Sequence, residues 1–138
     1  MRVLIDTNVI LDVILKRSPF DIASYEILKR AEKKAIEAYI ASFAVTDLYY
    51  FISKNLGNDK AVEAIKALLQ IVKLVGITNR DVEKALSNSS ITDLEDALQV
   101  QCAKKSKSDY FITRDNRLKK FLSNAVSPSE FIEMLDSD

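Results

Sequence analysis

A chain of 138 residues, 48% hydrophobic and 29% charged, has an ordinary globular composition and is expected to form a single domain over 1–138 around one core. It contains no histidine and one cysteine, which excludes Ser-His-Asp and Cys-His catalysis, imidazole bases and His-zinc sites. Its formal net charge is zero, so no global field advertises a nucleic-acid partner, and any metal it binds must be held by oxygen: magnesium, manganese or calcium. Cys102 cannot pair within the chain, which fits a cytoplasmic setting, and it reads as a small core residue. Asp6 and Asp12 interrupt the only N-terminal apolar stretch, so neither a signal peptide nor a membrane span is expected.

In chain order, residues 1–5 read as a short buried strand, followed by a helix over 8–16 with Val9, Ile10, Val13 and Ile14 at helical spacing. Pro19 breaks it, and 21–38 reads as a second, amphipathic helix. A strand is expected at 39–42 and a helix at 44–56 stopped by Gly57. Asn58 or Asp59 is expected to cap a helix running to about residue 71. A strand at 73–77 and a short helix at 81–86 follow. Thr92-Asp93-Leu94-Glu95 has the form of a capping box opening a helix over 92–105. The remainder reads as a strand at 109–113, a helix at 116–122, a last strand at 125–126 and a helix from Pro128 to 135. Alternating strands and helices mean α/β with a parallel sheet, where ligands collect beyond the carboxyl ends of the strands.

Acids stand at these junctions. Asp6 follows the first strand, Asp115 follows the fourth, and Asp93 and Asp96 open the helix between. Each has a helix-cap alternative, strongest for Asp93. Asp96 is the most telling, because it shares a helical stripe with Val100 and Ala103, where a carboxylate is costly unless paired, protonated or bound to a cation. Glu95, Gln99 and Ser106 lie on another side of that wheel, with Cys102 among them. Asp47, one turn before Tyr50 and Phe51, is a fourth candidate, whereas Asp12 is expected to be solvated. Gathered carboxylates repel, and a cation makes the arrangement favourable. Bound magnesium or manganese lowers the pKa of a coordinated water and stabilises charge on phosphate oxygens, so phosphodiester hydrolysis fits this set without histidine. Asn8, Thr113, Arg114 and Arg117 are expected to meet waters or substrate phosphates.

The opening Val-Leu-Ile-Asp-Thr-Asn, a mid-chain acid in a helix after a short strand, Asp-Leu-Glu-Asp-Ala-Leu and Phe-Ile-Thr-Arg-Asp resemble, in this order, the PIN domain. The chain looks like the single-domain ribonucleases typified by the toxin of the VapBC toxin–antitoxin systems. The resemblance implies a three-layer α/β/α sandwich with a central, mostly parallel sheet, and a Mg2+- or Mn2+-dependent endoribonuclease. It maps the family's four acids onto Asp6, Asp47, Asp96 and Asp115, with Asp93 auxiliary. The metal would be held by Asp6, Asp96, Asp115 and Asp93. Aspartate at 47 departs from the family's usual glutamate and shortens the reach by one methylene. The implied partners are RNA, an antitoxin protein and a second copy of the chain. Three alternatives are a PIN nuclease acting outside a toxin system, a non-catalytic α/β module whose acids are caps and salt bridges, and a magnesium-dependent phosphatase. The last is disfavoured because Asp6-Thr7-Asn8 lacks an Asp-x-Asp pattern.

Overall fold

The structure, a computed structural model, describes residues 1–91 and 93–137. Five strands, β1 (Arg2–Ile5), β2 (Glu37–Ala41), β3 (Val72–Val75), β4 (Tyr110–Ile112) and β5 (Ala125–Val126), form one sheet in the order β3-β2-β1-β4-β5. Every pairing is parallel, with Leu4 beside Tyr39 on one flank and Phe111 on the other. The chain builds outward from β1 to β2 and β3, then crosses back to lay β4 on the opposite side. The sheet therefore has a switch point between β1 and β4, where an open α/β sheet leaves a crevice at its carboxyl end.

Helices α1 (Thr7–Ile14), α2 (Asp21–Glu32), α3 (Ala44–Leu56) and α4 (Asn58–Leu68) connect the first three strands, and α5 (Asn79–Leu86) and α6 (Leu94–Lys105) connect β3 to β4. A short 3-10 turn at Leu118–Lys120 precedes β5, and α7 (Pro128–Asp136) ends the chain. Parallel strands are joined by right-handed crossovers as a rule, and crossovers running in opposite directions along the sheet then put the two helix groups on opposite faces. The packing agrees. Val3, Ile5, Ile40 and Ile112 of the sheet join Val9, Ile27, Leu48, Ile52 and Phe131 in one large core. On the other face Leu4, Ala41, Val75 and Phe111 pack with Cys102 and Ala103 of α6. Alternate residues of β1 thus serve both layers, as its period-two geometry requires. The architecture is the three-layer α/β/α sandwich with a parallel central sheet.

Helix α3 has the expected limits, and Gly57 ends it at φ 92°, a conformation that favours glycine. Helix α2 stops at Glu32, six residues short of expectation, and the chain turns through Lys34 at φ 62°. Ala35 to Ala38, expected in the helix, lie beyond it, and Ala38 is a buried residue of β2. The helix expected at 116–122 is only the 3-10 turn. The fourth helix opens from Gly57 with no side-chain cap, so neither Asn58 nor Asp59 caps it. Capping boxes are formed instead by Thr78 with Asp81 before α5 and by Ser127 with Glu130 before α7. The box expected from Thr92 lies outside the described residues, and the residue that caps α6 is Asp93, whose side chain accepts from the Asp96 N–H at 3.0 Å.

Candidate active site

The carboxyl ends of β1 and β4 deliver Asp6 and Asp115 to the switch point, and the first turn of α6 brings Asp96 over them. Together with Asn8, Asp93, Glu95, Gln99, Arg117 and Leu118 they line a cavity of about 190 Å3. Asp6 occupies the N-cap position of α1 but makes no side-chain capping bond. Its Oδ2 instead accepts from the Thr113 hydroxyl at 2.8 Å, and the same hydroxyl accepts from the Asp115 N–H at 3.0 Å. Thr113 is fully buried, so it ties the two strand ends together and is not open to substrate as expected.

Burial raises the pKa of Asp6 above the ordinary carboxylate range, and the Asp115 and Asp96 charges push it the same way against the lowering bonds from Thr113 and the Thr7 N–H. Asp96 is likewise raised by burial and then by Asp93. Asp115 moves the other way, because the Arg117 side chain donates to it. Arg117 Nη2 lies 2.8 Å from Asp115 Oδ2 and 3.7 Å from Asp96 Oδ2, so its guanidinium stands between the two acids as an internal counter-ion.

Arg114, expected to meet phosphates, turns away from the cavity. Its Nε and Nη2 donate to Asp12 at 2.6 and 3.0 Å, and its guanidinium lies 4.0 Å over the Phe20 ring. Asp12, expected to be solvated, is fully buried, with Arg17 also 3.6 Å away. A buried carboxylate needs such partners, and the pair anchors the segment between Thr113 and Asp115 to α1.

Asp47 stands in the first turn of α3 and does not line the cavity. Its link to the site is Glu95, whose pKa is raised by desolvation first and then by Asp47, Asp93, Asp6 and Asp96. Glu95 is thus a fifth carboxylate of the cluster, and Gln99, one turn on, is 3% exposed at the same cavity. The sequence reading gave neither a role. The signal available was position: Gln99 follows Glu95 by four residues and Asp96 by three on α6, the two spacings that make neighbours on a helix.

The donor set suits a hard cation, since it offers oxygen alone and two acids, Asp6 and Asp96, whose raised pKa values record unrelieved burial and repulsion. Among the described residues no three acids converge closely enough to hold an ion without movement, and Arg117 lies across two of them. A cation entering here would displace that guanidinium.

The profile of one family, described as PIN domain, matches residues 2–117. Among curated proteins, Ribonuclease VapC1 of Aquifex aeolicus (strain VF5) is 26% identical over 136 residues, spanning 96% of this chain and 94% of that protein. A solved VapBC2 from Rickettsia felis, bound to a DNA fragment from its promoter, superposes with a TM-score of 0.68 at 16% identity, covering 92% of this chain and 97% of that one. VapC20 of Mycobacterium tuberculosis, described as a sarcin-ricin loop cleaving toxin, gives 0.67 at 12% identity over 86% of this chain and 94% of its own. A DNA-bound VapBC from Salmonella typhimurium gives 0.68 at 13%, over 93% and 98%. At these identities the three solved structures speak for the fold.

Proposed function

We propose, from the premise that this chain belongs to the PIN domain family, that it is a magnesium- or manganese-dependent endoribonuclease and the toxin of a toxin–antitoxin pair. The observation that carries the reading is the delivery of Asp6, Asp96 and Asp115 to one cavity at the β1/β4 switch point. The likeness to Ribonuclease VapC1 over nearly the whole chain supports ribonuclease chemistry, and the solved VapBC relatives support an antitoxin partner.

In this reading Asp6, Asp96 and Asp115 hold the ion, with Asp93 behind Asp96 as cap and auxiliary charge. The bound ion would supply an acidified water and neutralise charge on the phosphate oxygens. The rest falls to the chain. Thr113 fixes the spacing of Asp6 and Asp115 through its two hydrogen bonds. Asn8, exposed at the cavity, offers an amide to the substrate. Arg117, with a side chain 68% exposed, is free to exchange its carboxylate partners for a phosphate. Asp47 acts at longer range, on the side of Glu95, and completes the negative pocket.

The partner reading includes a second copy of the chain. Tyr49, Tyr50, Phe51 and Val62 leave an exposed apolar surface on α3 and α4, the kind of face a protein partner covers. Among the described residues no helix is long and apolar enough to cross a membrane.

The direct test is cleavage of RNA with Mg2+ or Mn2+, with and without EDTA, by the wild type and by Asp6→Asn and Asp96→Asn. Loss of cleavage by about a hundred-fold or more in each variant and in EDTA is expected. Undiminished cleavage in both variants would remove the site assignment.

A further inference from the structure

Gln99 is out of keeping with its surroundings. It lies on α6 three residues after Asp96 and four after Glu95, on the wall of the acid cavity, and is 3% exposed. Its Oε1 has no hydrogen-bond partner among the described residues. A buried acceptor left unpaired destabilises a fold, and a side chain of this size could have been apolar at no such cost. The neighbouring Val100 and Ala103 show that α6 buries apolar residues readily. The side chain that carries this orphaned oxygen lines a cavity large enough for several waters, with further oxygen atoms on Asp6 and Asp96.

We propose that Gln99 is a water-positioning residue: its amide oxygen accepts a hydrogen bond from a water in the cavity and fixes that water's orientation for attack on the scissile phosphate. The inference rests on the nuclease reading and deepens it. The carboxylates can take a proton and bear charge. A neutral amide cannot do either at working pH, but it holds an acceptor in place without adding to their repulsion. Its effect is therefore on orientation, which governs the chemical step more than substrate affinity. Fixed by helical geometry to Asp96, it would keep its aim as that acid moves.

The test replaces Gln99 with Leu, and separately with Met, whose flexible stem fits the same space without an amide. Each variant is compared with the wild type in RNA cleavage kinetics and in thermal unfolding, in EDTA and in Mn2+. We expect kcat to fall about ten- to a hundred-fold with KM within twofold. The midpoint in EDTA should be equal to or above the wild type, because the amide oxygen makes no bond to another group of the fold. The Mn2+-induced rise in midpoint should be kept.

Unchanged kcat in both variants overturns the proposal. So does a lowered EDTA midpoint in both, which would make the amide a structural bond, or loss of the Mn2+ rise, which would trace the defect to ion binding. A wild type with neither metal-dependent cleavage nor a Mn2+ shift removes the nuclease reading, and this inference with it. A wild type that cleaves beside variants that cleave equally removes the inference alone.

Discussion

At the scale of single residues, the site is a contest between repulsion and its relief. Arg117 relieves Asp115 and part of Asp96, and Asp6 is left with one hydroxyl and one backbone N–H. Replacing Arg117 with Ala should therefore lower the unfolding midpoint in EDTA at neutral pH, by removing a counter-ion, and enlarge the rise produced by Mn2+, by removing a competitor. Thermal scans with and without the metal read both effects, and an unchanged Mn2+ rise would mean that the guanidinium does not compete. Arg114→Ala has a different consequence. It strips the fully buried Asp12 of its bidentate partner and leaves only Arg17 at 3.6 Å. Urea unfolding should show a loss on the order of 2 kcal/mol, below the value for a fully enclosed pair because Arg114 is partly exposed. The junction aspartates were legible because strand ends and first turns are marked in the local pattern. The Asp12–Arg114 pair was not, since its members stand 102 positions apart and each alone looks like a solvated charge. Gln99 was hidden differently: it shares a wheel sector with Glu95, and the buried Cys102 and Ser106 on that side show that the sector faces the sheet and cavity more than solvent.

At the scale of elements, helix stops were harder to read than helix starts. Gly57 announced one end. Three others close on lysines in left-handed backbone, Lys16, Lys34 and Lys107, with φ of 52°, 62° and 53°. Glycine is the usual residue there, and an L side chain in that region costs about 1–2 kcal/mol. With no glycine to mark the turn at Lys34, the apolar spacing through Leu28 and Ala31 ran on in the pattern into what is β2. Lys34→Gly should stabilise the protein by roughly 0.5–1 kcal/mol, the backbone relief less the extra freedom gained by the unfolded chain. Chemical denaturation at fixed m-value measures it, and destabilisation would show that Lys34 contributes a contact outweighing the strain. The segment after β4 failed as a helix for a related reason. Asp115 accepts from the Arg117 N–H at 2.9 Å, which closes a tight loop where a helical turn was expected.

At the scale of the whole molecule, the five-strand parallel sheet and its two helical layers followed from the alternation of apolar runs, whereas strand order did not. Only the structure puts β1 in the centre and so brings the first and last site acids together. The same assembly sets a pH dependence. Asp6 and Asp96 have raised pKa values in the fold, so they favour folding while protonated and lose that contribution as pH rises through their folded pKa values. Asp6→Asn cannot ionise. In EDTA its midpoint should climb relative to wild type from about pH 4 towards neutrality. Saturating Mn2+ should reverse the order, because the wild type alone gains the ligand. A difference independent of pH would show that Asp6 titrates normally.

The central place of β1 also fixes when activity can arise. Asp6 precedes its hydroxyl partner Thr113 and its fellow acid Asp115 by more than a hundred positions. Until β4 is present, one edge of β1 has no neighbour and the cavity lacks a wall. A growing or truncated chain that ends before residue 110 contains four of the five carboxylates around the cavity and no closed site. In a protein read as a nuclease, synthesis is thus itself a safeguard: the cutting centre is assembled only once two segments more than a hundred positions apart have both been made.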